Sequence, residues 1–159
     1  MAANATGRVD AKLADLGITL PTAMPPIANY VPWVQTGTLV VVSGQVPAID
    51  GKIAVTGKVG ADLDVAAGQQ AARICFTNVL THLRAACGGD LDRVRRVVRL
   101  GGFVACPPSF TAHAQVMNGA SDLAVEVFGE AGRHARSTIG VPSLPGDAAV
   151  EVEGMFEIA

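Results

Sequence analysis

Residues 135–159 read ARSTIGVPSLPGDAAVEVEGMFEIA, and this stretch decides how the chain is built. From Val150 onward, Val150, Val152, Gly154, Phe156 and Ile158 fall on one side of a strand, with Glu151, Glu153, Met155 and Glu157 on the other. The apolar side belongs against helices, so three carboxylates point to the uncovered face. Ser137–Val141 reads as a second strand, joined to the first through the turn Pro145-Gly146-Asp147. Across that turn the two strands are expected to run antiparallel, which sets Arg136 beside the acidic face. An arginine so placed suits a carboxylate gripped through two parallel hydrogen bonds. The plainer alternative is a solvated sheet face with a solvated arginine.

Upstream of the strands at Ser137–Val141 and Ala148–Ile158, six further elements are read. Val65–Cys87 carries Val65, Gly68, Ala72, Phe76, Val79, Leu83 and Ala86 at three- and four-residue steps. Gln70, Arg73, Thr77, Thr81 and Arg84 take the opposite face of that helix, Asp64 is its expected N-cap, and Gly88-Gly89 its stop. Arg93–Cys106 is a long strand, interrupted at Gly101-Gly102 and ended by Pro107-Pro108. A second helical region is expected from a Ser109 cap to Phe128, broken near Asn118-Gly119, with 130–134 as loop. Nearer the start, 27–34 and 39–43 read as a hairpin across Thr36-Gly37, and the unbroken run Leu39–Ser43 suggests a strand covered on both faces. Gly44 after that run marks a bulge or a close approach to backbone, and Asp50-Gly51 a turn into a short strand at 53–55. The order β-β-β-α-β-α-β-β predicts an α+β domain, a mixed sheet with two main helices packed on one face. Before it, an amphipathic stretch at Val9–Leu16 and the prolines 21, 25 and 26 make residues 1–26 a helical extension with an extended connector.

With 159 residues the chain is expected to form one such domain, residues 27–159, beyond its extension. Half the residues are apolar and only 16% charged, which points to apolar surface buried against further subunits. A net charge of −2 opposes a nucleic-acid backbone as partner. The basic run Arg93, Arg95, Arg96 and Arg99 lacks interleaved aromatics to stack bases and reads as an exposed strand. Cys75, Cys87 and Cys106 show no CxxC spacing and suit reduced thiols of a cytoplasmic protein. No apolar run is long enough for a membrane span. His82, His113 and His134 stand apart without a second ligand at metal spacing, and no phosphate loop, dinucleotide fingerprint or serine-nucleophile elbow occurs, so neither metal nor organic cofactor is expected. Tyr30 and Trp33 are the large polar aromatics, and the Tyr30 hydroxyl is a candidate ligand contact.

These residues together resemble the YjgF/Rid family of reactive intermediate deaminases, also called L-PSP endoribonucleases. Ala135-Arg136-Ser137, the Leu144-Pro145 turn and Val150-Glu151-Val152-Glu153 follow the family's closing signature; Tyr30 and Ser43-Gly44-Gln45 match upstream, and Asn118 and Phe128 fit its second helix. The resemblance covers roughly residues 27–159 and implies a chorismate-mutase-like fold, a homotrimer, and ligand clefts between subunits. It implies that Arg136 binds the carboxylate of a 2-imino or 2-enamino acid, that Glu151 holds the attacking water, and that Tyr30 orients the substrate. Ser43, Gly44, Asn118 and Thr138 would line the same cleft. Products would be a 2-keto acid and ammonia, formed without a cofactor because the imine carbon is already electrophilic. The chain departs from the pattern at Thr138, where cysteine is common, at His134, where proline is, and at Ala28-Asn29, in place of Gly-Pro. Three functions follow: an imine/enamine deaminase, a carboxylate binder without turnover, and an endoribonuclease, the last opposed by the acidic charge and the missing histidine pair.

Overall fold

The computed structural model describes residues 7–23 and 28–159; the Pro25-Pro26 connector, Ile27 and the proposed boundary at 26/27 lie outside the described residues. Helix α1 (Arg8–Asp15) precedes the hairpin β1 (Trp33–Thr36) and β2 (Leu39–Gln45). A small hairpin β3 (Ala48–Ile49) and β4 (Lys52–Ile53) leads to α2 (Val65–Ala86). Then come β5 (Val94–Ala105), α3 (His113–Phe128), β6 (Ala135–Val141) and β7 (Val150–Ile158). The main sheet runs β1-β2-β7-β5-β6, antiparallel except for the β5/β6 pair, which is parallel across the α3 crossover.

Each element follows from local chemistry. Asp64 caps α2, its carboxylate accepting from the Ala67 N–H at 2.8 Å, and Gly88 and Gly89 end the helix at positive φ. The β1/β2 turn is Gly37-Thr38, one residue later than Thr36-Gly37, and Asp50-Gly51 closes the small hairpin with both φ positive. Helix α1 is pinned remotely: the Asp92 carboxylate accepts from the Arg8 and Val9 N–H groups at 2.7 and 2.8 Å, and Val9 and Leu13 are buried in the common core.

Strand β7 alternates as its sequence requires, Val150, Val152, Gly154, Phe156 and Ile158 buried beneath the helices and the glutamates half-exposed opposite. In β2 only Val40 and Val42 are buried; Leu39 and Val41 are half-exposed, so one chain covers a single face of this strand. Thr81 and His82 are buried as well, which corrects the assignment of Thr81 to the polar face of α2. Thr81 is reconciled by back-bonding to the Thr77 carbonyl at 3.2 Å.

Two glycine pairs behave differently from the sequence reading. Strand β5 is continuous through Gly101-Gly102: a Cβ on Gly101 would meet the Glu153 side chain and one on Gly102 the Met117 sulfur at 2.5 Å, so these glycines admit neighbours. Helix α3 likewise runs unbroken through Asn118-Gly119. It begins at His113, without a side-chain cap, because residues 107–112 turn to lay Phe110 over Gly60. Gly119 is where α3 crosses α2, and a Cβ there would stand 2.0 Å from the Gln69 carbonyl oxygen. Helix propensity alone favours Gly119→Ala by about 1 kcal/mol, yet backbone against backbone cannot yield. We expect a net loss of about 3 kcal/mol or more, read as a lower urea midpoint; an unchanged or raised midpoint would contradict this packing.

Candidate functional site

Strand alternation distributes the candidate residues over two faces. On β6, Arg136, Thr138 and Gly140 turn toward α3, while Ala135, Ser137 and Ile139 turn to the open face. Arg136 pairs in register with Leu100 and through it with Gly154, both buried on the helix side. Its Nη1 donates to Asn118 Oδ1 at 2.9 Å and to Ser121 Oγ at 3.1 Å, two residues of one α3 face. Both Nη1 hydrogens are thereby used. The Nε–H and Nη2 hydrogens, which form the edge that fits a carboxylate side-on, have no partner among the described residues, and no acidic side chain pairs with Arg136. Thr138 Oγ1 is covered and has no hydrogen-bond partner among the described residues.

Glu151 belongs to the other face. Val42 pairs with Gly154 and Gln45 with Val152, so Ser43 and Gly44 together oppose Glu153: a β-bulge. The Glu151 carboxylate fills the space above Gly44, where a Cβ would stand 2.0 Å from Oε1. Burial, and next the Glu153 charge, push the Glu151 carboxyl above the usual carboxylate range. Ser43 ties the segment that follows Tyr30 to this bulge, its Oγ donating to the Val31 carbonyl at 2.8 Å and its N–H to that of Pro32 at 2.9 Å. Tyr30 itself is 54% exposed at the rim.

The structure thus brings Arg136, Asn118 and Thr138 together, and separately Glu151, Gly44, Ser43 and the Tyr30 segment. It does not bring Arg136 to the Glu151 of its own chain. Glu151 aligns with Phe103 and Ile139 across the sheet. Arg136 is three residues further along, so the two lie about 10 Å apart across the strands and about 10 Å along them, on opposite faces. This corrects the expected adjacency of β6 and β7. Strand β7 inserts between β2 and β5, and β6 goes to the far side of β5, because the α3 crossover returns the chain parallel to β5. The arginine beside the acidic face is Arg99, 3.7 Å from Glu153 with both side chains well exposed.

The basic run does not form one patch. Arg95 and Arg96 are exposed, Arg99 faces Glu153, and Arg93 donates to the Cys87 and Ala159 carbonyls. A hollow of about 470 Å³ between α1 and the end of α3 is ringed by Arg8, Lys12, Asp15 and Glu126 and contains none of the candidate residues. Among the described residues no three His, Cys, Asp or Glu side chains gather as a metal centre requires, and no helix is long and apolar enough to cross a membrane. Sequence reasoning missed Ser121 and treated His134 only as a departure. Ser121 was discoverable, since it lies one helical turn after Asn118.

Comparison with known proteins agrees with this architecture. The family model described as "YjgF/chorismate_mutase-like, putative endoribonuclease" matches residues 10–157. Protein TCP17 of Trypanosoma cruzi is 52% identical over 159 residues, covering 99% of each chain. The crystal structure of Atu1372 from Agrobacterium tumefaciens superposes with a TM-score of 0.90 at 50% identity, over 96% of this chain and 93% of that one. The YjgF gene product of E. coli superposes at 0.62 with 27% identity, over 87% and 97%.

Proposed function

The chain belongs to the YjgF/chorismate-mutase-like family, and from that premise we propose that it binds small 2-keto and 2-imino carboxylates and hydrolyses the imines to keto acids and ammonia. The observation that carries this reading is Arg136: a half-buried cation, clamped by two neutral acceptors, with its side-on edge unspent and no carboxylate paired with it among the described residues of its own chain. Such a group is satisfied by an anionic ligand.

The chemistry then needs one water. Glu151 accepts a proton from that water as oxygen attacks the protonated imine carbon, returns it to nitrogen, and takes the hydroxyl proton of the tetrahedral adduct as the C–N bond breaks, so that the keto acid forms and ammonia leaves. A carboxyl raised above its usual range is a stronger base for the first transfer and holds the proton more firmly until the second. Because the two half-sites of one chain face apart, we place the reaction between copies, the Arg136 edge of one against the Glu151 face of the next. Contacts of this head-to-tail kind close into a ring where the rotation between copies permits, and we propose a homotrimer. The open sheet face suits burial: Val34 and Ile139 are each 53% exposed, and Leu39, Val41, Phe103 and Met155 are half-exposed around the glutamates. Three buried, unpaired cysteines suit a reducing compartment, and we place the protein in the cytoplasm.

The test is to add the purified protein to freshly generated iminopropionate and follow pyruvate, with light scattering for the assembled mass. Pyruvate formation no faster than in buffer removes the enzyme reading; a monomeric mass removes the shared cleft. Binding of keto acid without turnover is the second reading, favoured by the fact that the Arg136 half-site is complete within one chain.

Thr138 gives a further check. An unpaired buried hydroxyl costs about 1–3 kcal/mol, so Thr138→Val, which keeps the shape, is expected to raise the melting temperature. If substrate is the missing partner, the same change lowers kcat/KM severalfold. Stabilisation with unchanged kinetics would place Thr138 outside the cleft.

A further inference from the structure

We infer that Ser121 and His134 are positioning residues that fix the orientation of the Arg136 guanidinium while leaving its charge intact, and so set the affinity of the site for carboxylates. The inference rests on Arg136 being the carboxylate anchor proposed above. Its ground is a run of hydrogen bonds whose direction follows, for a neutral His134 ring, from the Gly132 carbonyl outward. His134 Nδ1 lies 2.6 Å from the Gly132 carbonyl, which can only accept, so Nδ1 carries the proton. In the neutral ring Nε2 is then an acceptor, and the group 2.9 Å from it is Ser121 Oγ, whose single proton must point there. Ser121 Oγ is left with lone pairs alone for Arg136, and it accepts from Nη1 at 3.1 Å. The polarity therefore runs from Arg136 through Ser121 and His134 to backbone.

The far end of this relay is rigid. Gly132 is buried in the short 3-10 turn after α3, packed so closely that a Cβ would stand 2.2 Å from the Ala124 carbonyl oxygen. His134 lies two residues before Arg136 and so projects from the same side of the chain as Arg136 and Thr138. One bond, to Asn118, would let the guanidinium swing about it; the second, to Ser121, holds both Nη1 hydrogens and fixes the plane. No member of the relay is an acid, so none cancels the guanidinium charge. An aspartate in place of Ser121 would hold Arg136 more tightly but would cancel the charge that an anionic ligand requires. The position where the family pattern has proline thus carries a side chain with a defined task, and a proline there could make neither bond.

The experiment measures 2-ketobutyrate affinity by calorimetry for the wild type, Ser121→Ala, Ser121→Thr, His134→Ala and the double variant Ser121→Ala/His134→Ala. The neutral amide of the same keto acid serves as control. Ser121→Ala is expected to weaken carboxylate binding about tenfold, with little change in the weak amide binding, and Ser121→Thr to restore it. Because the two residues act in series, the double variant should be no weaker than Ser121→Ala alone, whereas independent contributions would add. Nitrogen-15 spectra of His134 supply a readout that general destabilisation does not move: a ring protonated on Nδ1 in the wild type and, because the Gly132 carbonyl still accepts from it, in Ser121→Ala, where the Nε2 resonance alone shifts as the hydrogen bond from Ser121 is lost. Wild-type binding with affinity unchanged in Ser121→Ala, additive losses in the double variant, or an Nε2–H ring in the wild type overturns the inference alone. No binding by the wild type overturns the proposed function and this inference with it.

Discussion

Arg136→Ala is expected to lower kcat/KM for imine hydrolysis by about 30- to 1,000-fold, the loss of about 2–4 kcal/mol from charge-assisted bonds to the substrate carboxylate. The same variant should abolish the rise in melting temperature that 2-ketobutyrate gives the wild type. Its own melting temperature should change little. Asn118 and Ser121 are only half-buried, and water can take over their vacated acceptors. Arg136→Lys keeps the charge but not the planar fork that reaches Asn118, Ser121 and a carboxylate at once, so it is expected to recover only part of the loss. Equal hydrolysis by Arg136→Ala would remove Arg136 from the reaction.

Glu151→Gln is expected to cost about 10²- to 10⁴-fold in kcat, the usual worth of a positioned acid/base, while making the fold more stable at neutral pH. Burial, and after it Glu153, raise the Glu151 carboxyl in the folded protein. A carboxyl raised in this way favours the folded state below its unfolded pKa of about 4.3, and that contribution is lost as pH rises through the folded value. Ionised Glu151 therefore weighs against folding at neutral pH, and the neutral amide removes that weight. The melting-temperature gap between Glu151→Gln and wild type should shrink as pH falls toward about 4. Wild-type kcat should correspondingly rise with pH through a value above the ordinary carboxylate range. A Glu151→Gln protein that is less stable than wild type at neutral pH would sink this account of the group.

The two variants also test where the cleft lies. If Arg136 and Glu151 of different copies form each site, mixing unfolded Arg136→Ala and Glu151→Gln chains and refolding them together must regenerate some intact sites. Activity should appear in the mixture although each parent lacks it. A mixture as inactive as its parents would mean that the two residues of a site come from one chain.

Much of the molecule was legible beforehand because local rules govern it. The Asp64 cap, the Gly88-Gly89 stop, the Asp50-Gly51 turn and the alternation of β7 each depend on a few adjacent residues. Gly101, Gly102 and Gly119 were misread as interruptions because a glycine that breaks an element and one that admits a neighbour look alike in sequence. The neighbours here, Glu153, Met117 and the Gln69 backbone, come from distant parts of the chain. The Ser121–His134 relay was illegible for a similar reason. It depends on Gly132 presenting its carbonyl to an imidazole, which is settled by the 3-10 turn rather than by residue type.

By itself, the stretch from Arg136 to Glu153 determined the residue types of the candidate site and which side of its own strand each glutamate takes, since a period of two is a property of one extended chain. Only the tertiary structure decided that β7 lies between β2 and β5 and that β6 lies beyond β5. Strand order is set by the crossover and by which long-range pairing buries the apolar faces, and alternation carries no information about either. That order puts Arg136 with Asn118 and Ser121 under the sheet, and Glu151 over Gly44 on the open face. What looked like one pair in the sequence is, in the fold, two halves facing apart.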